Sequence, residues 1–157
     1  NKFMHKDVGF NYRMSNLQAA IGCAQLAKAD GVIEKKRELA DFYNNALSDM
    51  PDLQLPVEKP YAKNVYWMYH VVLRGALQGK REKIMRALAE RGVETREAFV
   101  PANMQEIFIK RGLTAAGDCP VANYAAENGF YLPSGPILSE EVRSHVVRSL
   151  KDAVKNV

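Results

Sequence analysis

Asn11, Tyr12 and Arg13 set a neutral amide, a phenol and a guanidinium in a row, just ahead of a strongly signalled helix start. Ser15 can cap that helix, and Gln18 completes the capping box S-x-x-Q. Leu17, Ala20, Ile21 and Ala24 then recur at helical spacing, which predicts a helix anchored by its own apolar face. Short polar groups at a helix entrance suit an anion, because amide and guanidinium protons can hold phosphate oxygens. An ordinary polar surface turn has the same composition, so the segment alone leaves both readings open.

Other chemistry-bearing side chains are scattered. His5, His70 and His145 lie far apart and none has a partner at ligand spacing. His70, in an aromatic strand, reads as a packed or half-exposed residue, and Tyr66, Trp67 and Tyr69 beside it as core and interface. Lys28, Lys35, Lys36, Lys80, Lys83, Lys110, Lys151 and Lys155 fall on expected helices among other charges, which predicts a solvated face for each. Lys2, Lys6, Lys59 and Lys63 lie in polar loops. No lysine has the apolar setting or neighbouring cation that would lower its pKa for Schiff-base chemistry. Cys23 and Cys119 lack metal-like spacing, and Cys23, beside Ile21 and Ala24, reads as a buried free thiol. There is no P-loop, metal cluster or Ser/His/Asp arrangement.

The elements that must position these residues follow from periodicity. After the Ser15 helix, Asp30 and Gly31 interrupt the pattern, and a second helical stretch runs from about residue 32 to 48. The two form either one bent helix or two helices broken at Gly31. Residues 50–60 carry three prolines and read as an extended connector. Residues 65–73 are β-branched and aromatic, hence a strand. A helix is expected over 79–91 with Gly92 as its stop. A second strand candidate covers 93–99, a short helix 105–110, a loop 112–120 and a helix 121–128 closed by Gly129. A short strand at 130–132 ends at Pro133. Ser139 caps a last helix through Val154, with Glu140 and Glu141 in its first turn. The sum is an α+β layer, helices packed on a small, mostly antiparallel sheet.

The chain has 157 residues, 47% apolar and 25% charged, which fits one globular domain, 1–157. A net charge of +4, spread along the chain, does not argue for nucleic acid. It can still help attract a diphosphate. No apolar run is long enough to span a bilayer, residues 1–6 show no secretory pattern, and a cytoplasmic location is expected.

Four segments carry a family resemblance. GFNYRMSNLQAAIGCAQL resembles the signature of the DegT/DnrJ/EryC1/StrS sugar aminotransferases. AKNVYWMYHVVL is similar to a strand of that family's C-terminal domain, VETREAFVP to the segment that turns back toward the active site, and NGFYLPSGPILSEEV to the closing strand and last helix. NVYWMY and GFYLPSG are closest to the perosamine-synthase-like branch. The resemblance implies the C-terminal small domain of a fold-type I enzyme that uses pyridoxal phosphate. It implies a longer protein moving an amino group from glutamate to a 4-keto-6-deoxy sugar nucleotide, for cell-surface polysaccharide biosynthesis. The family's Schiff-base lysine precedes the GFNYRM run and lies outside this sequence, so the chain alone is expected not to transaminate.

The resemblance also implies roles. Asn11 corresponds to the asparagine that reaches across a homodimer to the cofactor phosphate of the other subunit. Arg13 either grips a diphosphate or donor carboxylate, or ties the turn to an acid at the dimer interface. Tyr12 lines the sugar pocket or packs in that interface. Arg96, Glu97 and Phe99 fall on the substrate-facing segment. Beyond it many relatives read P-x-H-x-x-P, whereas this chain has Asn103 for the histidine and Glu106 for the second proline. Asn103 can donate to a sugar hydroxyl but cannot titrate as an imidazole does. Two other readings stay open: a non-enzymatic regulatory or assembly module of the same family, and a sugar dehydratase using the same cofactor. The residue at the upstream lysine position discriminates them.

Overall fold

The computed structural model describes residues 3–157; Lys2 lies outside the described residues. Ser15 caps α1 (Asn16–Leu26) through its hydroxyl on the Gln18 amide, and the Gln18 side chain returns to the Ser15 amide, so the expected capping box is formed. The chain turns at Ala27 and Lys28, and α2 (Ala29–Ala46) carries straight through Gly31. The break therefore lies three residues earlier than composition implied. Within a helix an isolated glycine costs only about 1 kcal/mol, and the buried face of Leu39, Ala40 and Tyr43 outweighs it.

The sheet is four-stranded and antiparallel, in the order β1 (Leu53–Gln54), β2 (Tyr69–Leu73), β4 (Gly129–Leu132), β3 (Arg96–Glu97). Helices α3 (Arg81–Ala89), α4 (Glu106–Lys110), α5 (Pro120–Asn128) and α6 (Glu140–Lys155) complete the chain. The α+β expectation is met. The connector at 50–60 contributes the edge strand β1, and two expected strands are shorter. Tyr66 takes a left-handed φ of 46°, held by its own amide donating to Asn64 Oδ1 at 2.8 Å. That turn breaks the alternation, so β2 starts only at Tyr69.

Alternation sorts the rest. Tyr69, Val71 and Leu73 share one sheet face with Phe130 and Leu132, and Tyr69 pairs with Leu132 and Val71 with Phe130. Against that face pack Leu39, Tyr43 and Leu47 of the α2 region, Ile84 and Leu88 of α3, and Val146, Leu150 and Ala153 of α6. Ser139 caps α6 by accepting from the Val142 amide, and Glu140 and Glu141 occupy its first turn. The other face carries His70 opposite Tyr131 and Tyr131 opposite Arg96.

α1 departs from expectation. None of its residues is buried; Leu17 and Ile21 are 74% and 59% exposed, and Cys23 is an exposed thiol. Spacing predicted an apolar face, and the face exists. No described residue covers it, so neither the anchoring of α1 nor a buried Cys23 is realised within this chain.

Candidate functional site

The second sheet face builds an aromatic cleft of about 720 Å³. Its wall is a run of rings: Tyr131 against Phe99 at 5.6 Å, and Phe99 stacked on Trp67 at 6.2 Å with 12° between planes; behind the lining, His70 lies against Tyr131 at 4.8 Å. Phe3 meets Phe99 edge-on at 4.8 Å. Arg96 and Glu97, on edge strand β3, are exposed at the rim. Tyr66 and Tyr69 are core residues, as expected, but Trp67 is 72% exposed. The left-handed turn at Tyr66 separates it from them. An apolar wall with a few charged groups at the rim is the usual make-up of a small-molecule site.

Lys36 corrects the reading of lysines as solvated. It lies in the cleft lining and is 9% exposed. Its Nζ donates to the Trp67 carbonyl at 2.8 Å, to the Ser134 carbonyl, and to Ser134 Oγ at 3.2 Å. Burial lowers its pKa. All three acceptors lie 31 or 98 residues away, so no local pattern could disclose them.

Arg37, the next residue, makes a two-pronged ion pair with Glu58, at 2.7 and 2.9 Å, and also donates to the Asn64 carbonyl. Glu58 accepts the Asn64 amide as well, and these bonds pull its carboxyl down to about 2. The guanidinium lies 5.8 Å from the Tyr66 ring centroid. Lys36 and Arg37 thus brace the 64–67 segment from adjacent positions on α2.

Asn103 is buried, and its amide nitrogen donates to the Ala116 carbonyl at 3.0 Å and to Asn123 Oδ1 at 2.9 Å. Both amide protons are engaged within the chain. That geometry gives the amide a loop-fastening role and corrects the expectation of a donor free for a sugar hydroxyl. Gln105, which sequence reasoning passed over, is also buried and ties the start of the chain down. It accepts the His5 amide and donates to the Phe3 and Val100 carbonyls.

Asn11, Tyr12 and Arg13 lie together in exposed coil before α1, outside the cleft lining. Tyr12 is 83% exposed and its ring lies 6.0 Å from that of Phe10. The cleft brings Arg96 and Phe99 together; it does not include the 11–13 group or Asn103. Their donor types still fit a phosphate: an amide and a guanidinium next to a helix start.

Among the described residues, no cluster of His, Cys, Asp and Glu is placed to hold a metal ion, and no helix is long and apolar enough to cross a membrane. The chain is 33% identical to GDP-perosamine synthase of Escherichia coli O157:H7 over 151 residues, 96% of this chain and 39% of that protein. Among solved structures it resembles S. venezuelae DesV, at 25% identity and TM-score 0.82, covering 100% of this chain and 41% of DesV. It also resembles the sugar aminotransferase CalS13 from Micromonospora echinospora, at 25% identity and TM-score 0.73, covering 92% and 37%. The chain thus spans about two-fifths of the length of such relatives. Aminotransferases of this kind use pyridoxal phosphate. The DegT/DnrJ/EryC1/StrS aminotransferase family model matches residues 1–151, and the chain belongs to that family.

Proposed function

We propose that this chain is the C-terminal portion of a nucleotide-sugar aminotransferase of the perosamine type. The observation that carries the reading is the aromatic cleft with Arg96 at its rim, in a chain whose relatives include GDP-perosamine synthase. A sugar ring offers apolar C–H faces to aromatic rings, and a guanidinium can take a phosphate bidentately. In the whole enzyme, pyridoxal phosphate would supply the electron sink for moving an amino group from glutamate to the keto carbon. The residues of this chain bind and orient. Phe99 and Trp67 line the cleft, Arg96 meets the diphosphate, and Asn103 holds the neighbouring loop.

Asn11 is assigned to the cofactor phosphate, with Tyr12 and Arg13 beside the sugar or its diphosphate. They stand apart from the cleft and next to the exposed apolar face of α1. That arrangement supports a homodimer in which α1 is covered by a second subunit and each active site is shared. Two exposed free thiols suit a reducing cytoplasm.

The test is turnover by the full-length protein. Incubation with glutamate and a GDP-linked 4-keto-6-deoxy sugar should yield the 4-amino sugar by mass spectrometry, with 2-oxoglutarate in equal amount. Binding of the keto sugar without amine formation would overturn the aminotransferase reading and favour a sensory or dehydratase role.

A further inference from the structure

The Lys36 ammonium is buried with no carboxylate paired to it among the described residues; its partners are two carbonyls and one hydroxyl. A cation in such a place carries a desolvation cost that an apolar side chain would avoid. What the ammonium provides instead is geometry. Its three bonds join three separate walls of one cleft: α2, the Trp67 segment ahead of β2, and the Ser134 loop after β4.

Trp67 is the sensitive member. Its indole is exposed and stacks on Phe99, while its carbonyl is tied back to α2. Trp67 lies between two fixed points, the left-handed turn at Tyr66 braced by Arg37, Glu58 and Asn64, and Tyr69, paired with Leu132 in β2; the bond from Lys36 ties the stretch between them to α2. We infer that Lys36 is a positioning residue: it clamps Trp67 and the Ser134 loop to α2, and so sets the width of the cleft that takes the nucleotide-linked sugar. The inference rests on the functional reading above for the identity of the ligand, and on the hydrogen bonds alone for the clamp.

Two measurements separate these. Trp67 is the only tryptophan in the 157-residue chain, so its emission reports the clamp without any substrate. Acrylamide quenching of Trp67 should rise about twofold in Lys36→Met, where all three hydrogen bonds are gone. It should stay near wild type in Lys36→Arg, which keeps cationic donors. Should Lys36→Met not fold, Ser134→Ala, which removes only the hydroxyl acceptor, should show a smaller rise in the same direction. Unchanged quenching in Lys36→Met, or in Ser134→Ala should Lys36→Met not fold, overturns the clamp.

In the full-length enzyme, Lys36→Arg should restore what Lys36→Met loses. KM for the GDP-linked keto sugar should rise about tenfold in Lys36→Met, with kcat within about twofold and KM for glutamate unchanged. A fall in kcat with KM intact overturns the positioning role. A wild-type enzyme that binds no nucleotide-linked sugar overturns the functional reading instead, and the quenching measurement still decides the clamp.

Discussion

Gly129 lies against the Nε2–Cε1 edge of the His70 ring. A Cβ at position 129 would fall inside van der Waals contact of His70 Nε2 and of the Ala125 carbonyl oxygen. Its φ of −104° is open to any residue, so glycine is required there by space and not by conformation. The imidazole in turn has its Nε2 buried without a hydrogen-bond partner, and burial lowers its pKa. Helix α5 therefore closes onto β2 through a glycine and a neutral histidine.

Gly129→Ala should cost about 1–3 kcal/mol, the usual range for overpacking a filled site. His70→Ala in the same chain should recover only part, because the clash with the Ala125 carbonyl is with backbone and remains. Urea midpoints of the two single variants and the double variant measure this. A Gly129→Ala protein as stable as wild type would contradict the close packing.

The Arg37–Glu58 pair gives a pH signature. Glu58 titrates at about 2 in the folded chain, below its ordinary 4.5, mainly through hydrogen bonds from Arg37 and the Asn64 amide. A carboxyl whose folded pKa is depressed contributes stability above its unfolded pKa and loses it as pH falls through the folded value. The stability gap between wild type and Glu58→Gln should be full at about pH 6 and shrink progressively below about pH 4.5. Urea unfolding at stepped pH reads it. A gap that stays constant down to about pH 3 would show that the pair does not set the carboxyl's titration.

Asn103 fastens a loop. Its amide nitrogen donates to Ala116 and Asn123, and its carbonyl accepts from Thr114 Oγ1. Asn103→Ala should destabilise by about 1–2 kcal/mol, the net worth of its two side-chain hydrogen bonds, because the exposed Ala116 carbonyl keeps the Asn123 amide as a second donor. It should also make residues 112–119 the first site of limited proteolysis. Equal cleavage of both proteins would leave Asn103 without this role.

What the sequence disclosed was what acts locally. The Ser15–Gln18 box and the Ser139 cap join residues three apart, and both formed. Gly92, with φ 75°, stops the helix ahead of it as a C-terminal glycine should. The cleft was partly legible in its parts: Arg96 and Phe99 fall on one segment of the sequence, and both line the cleft. Lys36 was misread because its charged neighbours Glu34, Lys35, Arg37 and Glu38 signal a wet face, while its acceptors come from segments flanking β2 and β4, 31 and 98 residues away. The early turn at Tyr66 did leave a signal, an asparagine two residues ahead able to accept the Tyr66 amide. The face of α1 marks the other limit, since periodicity reveals an apolar stripe and not what covers it.

That uncovered stripe beside Asn11 motivates the last prediction. Asn11→Ala in the full-length enzyme should weaken cofactor retention about ten- to a hundredfold, the worth of one hydrogen bond to a charged group. Its folding should change little, because Asn11 is exposed in this chain. Mixed dimers then ask which subunit Asn11 serves. One parent has the Schiff-base lysine proposed for the full-length enzyme replaced, and the other carries a disabling change at Asn11. With shared sites, one site of the heterodimer collects both defects and the other collects neither. Two inactive parents should then regain up to about a quarter of wild-type activity on random mixing, for two independent sites. If each subunit built its own site, every site would hold one defect and nothing would return. Absence of rescue, with heterodimers shown to form by native mass spectrometry, would assign Asn11 to its own subunit and leave the face of α1 to some other partner.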